Sequence, residues 1–496
     1  MALIDKASLL MVPSTYEAGK LYNVLPSGNR APDNKGGAGY DQTRADFDFD
    51  RGSNAAATRI GSDGLLKKYR ENVLTESNNF SDSDWSKTGI ASVTGGEVGY
   101  DGSNDAYLIT ASASTTNHYL RQSGAVQSGV QTYSVYAKGN GYDVQLRATG
   151  VGGTTNWVSF NLISGSVGTS GAGIIESKMT SLGNGWYRCS TSFNDSGSPF
   201  IGIYMVEDAD TAGSGPSYTG DGVSGIFLQN AQAESGLVAT DYLNSTSVTG
   251  KAGVLVDLPR INYDANGENG ALLLEPSRQQ LVPYSELFST AVGWSPQVVG
   301  SSTANVILNY GISPDGYQNA DRLQLALNGS SYADWLYFLS VTSGTTYTYS
   351  VYAKSLSGNV DVEILGGTPT GNILKEITTE WTRLTHTFTA NATSIYPRFL
   401  LQAGTSSSAD ILIWGAQLEP NATYVSSYIP NHGTSGGVTR AADSCNNGGS
   451  AESINSVEGV LYAEIAALAN DGTYRNIALS DGSLTNRILI QYTPNA

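Results

Sequence analysis

The sequence of 496 residues contains very little cysteine and histidine. Its two cysteines, Cys189 and Cys445, lie far apart, which excludes a disulfide framework, and neither has a Cys or His at the spacing of zinc ligands. The three histidines, His118, His386 and His432, have no recognisable nucleophile or orienting partner nearby in the sequence. We therefore expect no catalytic residues, no bound cofactor and no enzymatic activity.

Basic residues are also scarce, with 27 Lys+Arg against 44 Asp+Glu and a formal net charge of −17. The longest basic run is Lys67-Lys68. We therefore expect no nucleic-acid binding, because phosphate contacts need a basic face. A membrane span needs about 18 consecutive apolar residues, and no such run occurs. The first residues also lack the basic and apolar regions of a signal peptide.

What the chain does contain is 58 Gly and 29 Tyr with only 14% charged residues, a composition typical of short strands joined by many turns. The phrase Thr-Tyr-Ser-Val-Tyr-Ala-Lys stands at residues 132–138 and again at 348–354. Weaker echoes follow in the same order with drifting spacing, as expected for a duplicated domain with variable loops. The echoed residues are Ser77, Phe80, Trp85, Trp186, Arg188, Glu234 and Tyr242, answered by Ser285, Phe288, Trp294, Trp381, Arg383, Glu419 and Tyr428.

Alternating short strands with frequent turn signals predict an all-β fold, made of tandem antiparallel β-sandwiches of jelly-roll type. An extended N-terminal segment, with too few apolar residues for its own core, is expected to dock on another surface. Between the shared Lys and the shared Trp, module 1 is longer than module 2, and the extra stretch predicts a long hairpin or a loop over one sandwich face. The predicted divisions are 1–70 (N-terminal segment), 71–245 (module 1), 246–279 (linker ribbon), 280–430 (module 2), 431–455 (linker) and 456–496 (start of an incomplete β-domain with strands at 458–465, 476–480 and 487–492).

Two sets of residues are candidates for binding. Asp101 and Asp105, and likewise Asp315 and Asp321, flank matched Asp-Gly turns; a turn role is favoured, with a structural calcium ion as the alternative. Aromatic side chains outside the core would stack on sugar rings, although core packing is the favoured reading for each. The aromatic candidates are Tyr136 and Tyr352, on the outward face of the repeated strand, and Trp157 and Trp335, in unmatched stretches. For Glu234 and Glu419 a structural role at a strand end is favoured over catalysis.

Several phrases together resemble a recurrent class of tailed-phage virion proteins. They are 7–13 (Ala-Ser-Leu-Leu-Met-Val-Pro), 48–53 (Asp-Phe-Asp-Arg-Gly-Ser), the ribbon at 259–263 and 272–278, and Tyr-Ser-Glu-Leu-Phe at 284–288 followed by Trp294. The resemblance implies carbohydrate-binding-like jelly rolls, and the tail from Glu458 is similar to the first strands of a laminin-G/concanavalin-like domain. It also implies a fibre or spike, fixed by residues 1–70 to portal, neck, capsid or tail proteins, and commonly a homotrimer.

Two hypotheses of function follow. The first is a non-enzymatic structural protein of the virion that attaches to a host-surface glycan. The alternative is a polysaccharide-degrading enzyme, a depolymerase, whose catalytic part is absent or unrecognised. Two carboxylates converging in a cleft would favour the enzyme, whereas aromatic surface patches without such a cleft would favour attachment.

Overall fold

A computed structural model describes residues 48–52, 56–123, 128–149, 155–197, 200–329, 331–369, 371, 373–446, 457–470 and 473–493. Most of the predicted N-terminal docking segment, residues 1–47, lies outside the described residues. The part that is described begins with four short strands, which are β1 (Asp48–Asp50), β2 (Thr58–Ile60), β3 (Leu66–Lys68) and β4 (Arg70–Asn72).

Module 1 is an antiparallel sandwich of two six-stranded sheets. Its strands are β5 (Ser86–Thr88), β6 (Ile90–Glu97), β7 (Ala106–Ala111), β8 (Thr115–Thr116), β9 (His118–Ser123), β10 (Ser128–Asn140), β11 (Asp143–Thr149), β12 (Trp157–Asn161), β13 (Ser166–Ser170), β14 (Ile174–Gly183), β15 (Trp186–Ser196), β16 (Phe200–Val206), β17 (Tyr218–Thr219) and β18 (Gly225–Ser235). The inner sheet has the order β14-β15-β10-β18-β7-β6, and the outer sheet has the order β13-β12-β11-β16-β9-β5. The core lies between them, where alternate residues such as Val135 of β10 and Ile203 of β16 meet.

A linker with β19 (Gly250–Ala252), β20 (Ile261–Asn262), β21 (Ala271–Leu272) and β22 (Arg278–Gln280) leads to module 2. After a short 3₁₀ helix, Thr290–Val292, come β23 (Trp294–Val298), β24 (Thr303–Gly311), β25 (Ala320–Ala326), β26 (Ala333–Tyr337), β27 (Leu339–Ser340), β28 (Thr346–Ser355), β29 (Val360–Gly366), β30 (Leu374–Ile377), β31 (Thr382–Thr389), β32 (Ser394–Leu401) and β33 (Ser408–Pro420). Its inner sheet has the order β24-β25-β33-β28-β31, and its outer sheet has the order β23-β26-β32-β29-β30, with β27 beside β32. The predicted all-β fold of tandem sandwiches is confirmed.

The duplication extends to the irregularities of the strands. The repeated phrase forms β10 and β28, and each pairs with its partner strand through a β-bulge at the same place, between Ser134 and Tyr136 and between Ser350 and Tyr352. Both copies also bond the echoed Ser to the echoed Tyr, since the Ser77 and Tyr242 hydroxyls lie 2.7 Å apart. The Ser285 and Tyr428 hydroxyls lie 2.6 Å apart. The echoes therefore mark one set of packing contacts that both copies keep.

The extra stretch of module 1 contains a hairpin, β12 with β13, in agreement with one of the two forms predicted from the sequence. It also adds β13 to the edge of the outer sheet and β14 to the edge of the inner sheet. An edge strand exposes unpaired backbone groups, and here β14 faces module 2. Lys178 Nζ lies 3.4 Å from Gln318 Oε1, and Glu176 accepts a hydrogen bond from Asn309 Nδ2. The insertion therefore builds part of the contact between the modules.

The short strands that belong to neither sandwich pair with one another, and we call this group of strands the linker hub. Two further strands, β34 (Val438–Arg440) and β35 (Ser444–Asn446), complete it. The pairs are β1 with β35, β2 with β3, β4 with β19, β20 with β21, and β22 with β34. A buried charge cluster holds the hub, in which Arg260 contacts both Glu275 and Asp443, while Arg440 contacts Glu275 and Arg51 contacts Asp443.

The C-terminal stretch forms a two-stranded hairpin, β36 (Arg475–Ser480) and β37 (Arg487–Tyr492). These strands match two of the three predicted there, whereas residues 458–465 have no regular secondary structure. Large apolar side chains on this stretch, such as Tyr462 and Ile488, are exposed. In the described part of the chain no helix is long and apolar enough to cross a membrane.

Candidate functional site

The two tyrosines of the repeated strand do not present a free ring to solvent. Tyr136 is 7% exposed, because the ring of Tyr100 stacks on it at a centroid distance of 4.3 Å. The guanidinium of Arg188 lies 5.3 Å from the Tyr136 ring, and Arg383 lies 5.3 Å from the Tyr352 ring in the same way. Each tyrosine is a packing residue covered by an arginine of the neighbouring strand. The sugar contact considered for Tyr136 is therefore corrected, whereas for Tyr352, which is half-buried, it stays a prediction.

The two candidate tryptophans have different surroundings. Trp335 is 3% exposed in the core of module 2, where its Nε1 donates to the carbonyl of Phe288 at 3.1 Å. The ring therefore has no face for a sugar, and this prediction is also corrected. Trp157, at 9% exposure, lies on the outer face of the outer sheet of module 1, opposite Arg147 on the next strand.

The matched Asp-Gly turns differ between the modules. In module 1, Ser103 N donates to Asp101 Oδ1 at 3.1 Å and Gln229 Nε2 donates to Asp105 Oδ1 at 2.6 Å. The hydrogen bond from the Ser103 hydroxyl lowers the pKa of Asp101. Both carboxylates thus hold a polar turn, which is the role favoured from the sequence.

In module 2, Asp315 forms an ion pair with Lys68 at 2.6 Å, so an ammonium group occupies the position that a calcium ion would need. Asp321 is fully buried and accepts backbone hydrogen bonds from Phe288 and Asn309 at 2.9 and 2.8 Å. Its burial raises its pKa to about 7. Among the described residues no group of three or more His, Cys, Asp or Glu side chains is arranged to hold a metal.

Glu234 and Glu419 are equivalent buried acceptors. Glu234 accepts from the backbone N–H of Thr240 at 2.9 Å, and Glu419 accepts from the backbone N–H of Ser426 at 3.1 Å. Each carboxylate holds the loop that follows its strand. Their geometry is that of a structural strand-end group in both copies.

The outer sheet of module 1 carries the most distinctive surface of the molecule. Five large side chains, Tyr119, Arg121, Arg147, Trp157 and Tyr204, extend from four adjacent strands on the side away from the core, and we call them the arginine face. Each of the five has at least one sequence neighbour in the hydrophobic core. Because side chains alternate along a strand, these five must point outward.

Cross-strand pairing sets the arginine face in rows. Trp157 pairs with Arg147, Arg147 pairs with Gly202, and Gly202 pairs with Arg121, so the two arginines flank a residue without a side chain. A Cβ at Gly202 would lie 2.6 Å from the ring of Tyr204. Glycine therefore leaves room for that ring between the guanidinium groups.

Aromatic rings lie beneath both guanidinium groups. The Tyr119 and Tyr204 rings are 4.6 Å apart, and the Arg147 guanidinium lies 5.3 Å from the Tyr204 ring. Arg121 lies 4.7 Å from the ring of Phe200 and 5.5 Å from that of Tyr119. Such cation–π contacts orient a guanidinium without neutralising it.

Neither arginine has a carboxylate partner among the described residues. Arg147 makes one long hydrogen bond, 3.5 Å, to the hydroxyl of Tyr204. The Nε atoms of both Arg121 and Arg147 are buried without a protein acceptor. Both side chains are half-buried, so a ligand would meet the outer nitrogens of each guanidinium group and not the buried Nε atoms.

A loop of module 1, residues 207–217, covers part of this surface, and we call it the cover loop. Gln145 fixes it from the sheet, donating to the Gly213 carbonyl at 2.9 Å and accepting from the Gly215 N–H at 2.8 Å. Under the loop Tyr204 is only 3% exposed, whereas Tyr119 and Arg121 remain half-buried beyond it. The site therefore combines an open edge with a covered floor.

The corresponding sheet of module 2 has a different surface. Arg398 donates to both carboxylate oxygens of Asp334, and Glu363 accepts from Gln402 Nε2 at 2.9 Å. Asp334 is 1% exposed, so its charge is satisfied within the sheet. The connection after the equivalent strand, residues 402–407, is also shorter than the cover loop. Module 2 thus repeats the sheet and lacks the arginine face.

The sequence candidates included one member of this face, Trp157, and missed the other four. A usable signal was present at residues 143–149, where Arg147 lies between the apolar Leu146 and Ala148. The signal at 118–123 was weaker, because only Leu120 of the alternate residues is apolar. Nothing in the sequence indicated that no carboxylate would pair with either arginine. That property depends on which strands become neighbours.

No protein-family model and no curated protein matches this sequence. Among solved structures, the chain is similar to the N-terminal CBM22-1-CBM22-2 tandem domain of Paenibacillus barcinonensis Xyn10C, at 12% identity over 74% of this chain and 99% of that one, with a TM-score of 0.24. The CBM22-1 xylan-binding domain of the same protein is 17% identical over 30% of this chain and 99% of that one, with a TM-score of 0.22. At these TM-scores the likeness identifies neither a family nor a ligand for this chain.

Proposed function

We propose that this chain is a non-enzymatic structural protein of a phage virion, a fibre or spike, whose module 1 attaches to a host-surface glycan. The arginine face is the observation that carries the glycan part of this proposal. Aromatic rings offer apolar surface to the C–H faces of sugars, and guanidinium groups donate paired hydrogen bonds to hydroxyl and carboxylate oxygens. The contacts of Arg121 and Arg147 leave such donors available.

The charge of the site favours a glycan that carries acidic sugars. Two guanidinium groups without carboxylate partners form a local positive surface on a chain of net charge −17. The carboxylate of a uronic acid would supply acceptors to both arginines, and its sugar ring would stack against Tyr119. Charge-assisted hydrogen bonds of this kind are stronger than neutral ones.

The virion part of the proposal depends on the sequence phrases near the N-terminus and in the ribbon, which resemble those of phage appendage proteins. We propose that residues 1–70 attach the chain to other virion proteins and that the appendage is a homotrimer. Immunogold electron microscopy of purified particles tests the location, and mass photometry of the purified chain tests the trimer. Absence of the chain from particles would contradict the virion assignment.

Glycan binding is tested by calorimetric titration of the full chain with host-surface polysaccharide, in parallel with uronate-containing and neutral polysaccharides. The double variant R121Q/R147Q should weaken binding of the acidic ligand by about a hundredfold or more, because it removes two charge-assisted bonds and each is worth about 1.5–3 kcal/mol. R322Q is the matched control, since Arg322 also lies over a tyrosine ring but pairs with Asp410.

Equal binding by the wild type and the double variant would show that the arginine face is not the binding site. Equal affinity for acidic and neutral polysaccharides would be consistent with binding at the arginine face but would contradict a preference for acidic sugars. Release of shorter oligosaccharides during the titration would support the depolymerase alternative instead.

A further inference from the structure

A largely buried lysine, Lys68, lies between two buried carboxylates where the linker hub meets module 2. Lys68 Nζ is 2.6 Å from Asp315 Oδ2 and 3.1 Å from both carboxylate oxygens of Glu286. The side chain of Lys68 is 17% exposed, and those of Asp315 and Glu286 are each 1% exposed. This cluster is separate from the arginine face and has no part in the proposed glycan binding.

We propose that Lys68 and Asp315 condense to an intramolecular amide crosslink, with Glu286 as the proton carrier. The amine nitrogen attacks Cγ of Asp315, one C–N bond forms, and the bond from Cγ to Oδ2 breaks. The ammonium first passes one proton directly to Oδ2 of Asp315, which gives the neutral amine and acid. Glu286 then takes a second proton from the attacking nitrogen and returns it to Oδ2, which leaves as water. An ammonium and a carboxylate thus become an amide and one water, with no oxidant or other reactant.

The surroundings of Asp315 suit this reaction. Its Oδ1 accepts from the Ser313 hydroxyl at 2.7 Å and from the Tyr317 N–H at 3.0 Å. Two donors at one oxygen stabilise the negative charge that the tetrahedral intermediate places there. The other oxygen, Oδ2, receives only Lys68 and the amide of Asn319 at 3.1 Å, so it is the leaving oxygen.

The surroundings of Glu286 and Lys68 suit it as well. The Tyr428 hydroxyl donates to Glu286 Oε1 at 3.1 Å, which fixes the carboxylate beside the nitrogen. The ring of Trp414 lies 5.3 Å from Lys68 Nζ and limits solvent on that side. Holding nucleophile and electrophile in contact replaces a bimolecular encounter by a step within one site.

The resting form of the cluster is ionised. Burial alone would lower the pKa of Lys68, but Asp315 and Glu286 raise it above its ordinary value. Burial likewise opposes ionisation of Asp315, and Lys68 nevertheless lowers the pKa of that carboxyl. The reaction therefore proceeds from the less populated form, in which Lys68 is a neutral amine and Asp315 a neutral acid. Burial lowers the free energy needed to form this pair, because separated charges are least favourable where water is excluded.

Lysine pairs elsewhere in the described residues lack this arrangement. Lys67 and Asp63 are 2.5 Å apart, but their side chains are 36% and 49% exposed, and Lys251 lies 3.8 Å from Glu71 at the surface. The Lys67 pair adjoins Lys68 in the sequence and is therefore a matched control.

The test is the intact mass of the full chain, purified in its native state and then denatured. We expect a mass one water below that of the sequence, and a proteolytic map containing one branched peptide that joins the segments around Lys68 and Asp315. E286Q and K68R should both have the full sequence mass, while D63N should keep the loss of one water. Circular dichroism of each variant reports whether it has folded.

One competing product also loses one water, because Asp315-Gly316 can close to a cyclic imide. K68R separates the two, since a cyclic imide would persist in that variant and the crosslink would not form. Loss of water that persists in K68R, or a wild-type chain of full sequence mass after prolonged incubation of the folded protein, would overturn the proposal. The wild-type measurement decides even if E286Q fails to fold.

Discussion

The two sandwiches have the same interior and different outer faces. In both, an echoed Phe packs on an echoed Trp, with ring centroids 5.1 Å apart for Phe80 and Trp85 and 4.6 Å apart for Phe288 and Trp294. On the outer sheet, module 2 pairs Arg398 with Asp334, whereas module 1 leaves its arginines without a carboxylate. Duplication preserved the packing contacts, and the copies diverged where side chains meet solvent.

Under the proposed function, this difference favours module 1 as the copy that binds the glycan. The contrast applies to the outer sheets, where module 2 satisfies Arg398 with Asp334 and module 1 leaves Arg121 and Arg147 without a carboxylate. The cover loop follows the same division, since only module 1 has an extended connection over its outer sheet. Under the proposed function, attachment therefore belongs to module 1.

The largest expected effect comes from breaking the satisfied pair in module 2. D334A leaves Arg398 buried without its counter-ion, and removing one partner of a buried pair costs about 3–5 kcal/mol. R121Q in module 1 removes an arginine that has no carboxylate partner, and we expect a change of about 1 kcal/mol or less. Urea unfolding of both variants checks the contrast, and equal destabilisation would contradict the distinction between the two faces.

The linker hub lies between the two modules, and Glu275 is part of its buried charge cluster. E275Q should destabilise the chain by about 3 kcal/mol at pH 7, because Glu275 would no longer balance two buried arginines. Although burial opposes its ionisation, Arg440 and Arg260 lower the pKa of Glu275 to about 2, from an ordinary value of 4.5. A lowered folded-state pKa gives stability that is present above pH 4.5 and lost as the pH falls from there towards 2.

The difference between wild type and E275Q should therefore shrink between pH 5 and pH 2, as measured by urea unfolding at about one-unit intervals. A constant difference across this range would show that Glu275 acts through its shape and not its charge. If only one module unfolds early, by fluorescence of its tryptophans, the hub does not couple the two.

A smaller effect is expected from releasing the cover loop. Q145A removes the hydrogen bonds at Gly213 and Gly215, and each such bond contributes about 1 kcal/mol. Opening should expose Tyr204, so hydrogen exchange in residues 213–215 should accelerate while exchange in the module 2 core stays unchanged. If the loop blocks the floor of the site, glycan affinity should rise; no faster exchange would mean that other contacts hold the loop.

Much of the fold was predictable because strand period and turn residues are local properties. The duplicated phrase located β10 and β28, and alternation correctly placed Tyr136 on the outward side of its strand. The covering of that ring by Tyr100 was not predictable, since the two residues meet only after β7 and β10 take their places in the sheet. A side chain that points away from the core of its own sheet can therefore still be buried by a neighbouring residue.

The candidate site was harder to predict than the fold. Asp315 looked like its module 1 counterpart Asp101, yet it pairs with Lys68 from 247 residues away, while Asp101 bonds within its own turn. Charge partners of this kind follow from tertiary contacts of high sequence separation. For the same reason the unpaired state of Arg121 and Arg147 has no signature in the sequence.

A single substitution makes the outer face of module 1 more like that of module 2. Ser86 pairs with Arg121 across β5 and β9, and Ser86 is exposed, so S86D places a carboxylate beside that guanidinium. An exposed ion pair adds at most about 1 kcal/mol to stability, so the unfolding midpoint should barely rise. The effect on binding should be larger, because the new carboxylate competes with the glycan for Arg121 and repels an acidic ligand.

S86N controls for the change of side-chain size without adding charge. Calorimetric titration should show weaker binding for S86D, unchanged binding for S86N, and a difference that narrows at high salt as screening reduces the charge repulsion. If S86D binds as tightly as wild type, the availability of Arg121 does not determine affinity. The difference between the two outer faces would then reflect only how each sheet satisfies its own charges, and attachment would have to be sought elsewhere on the molecule.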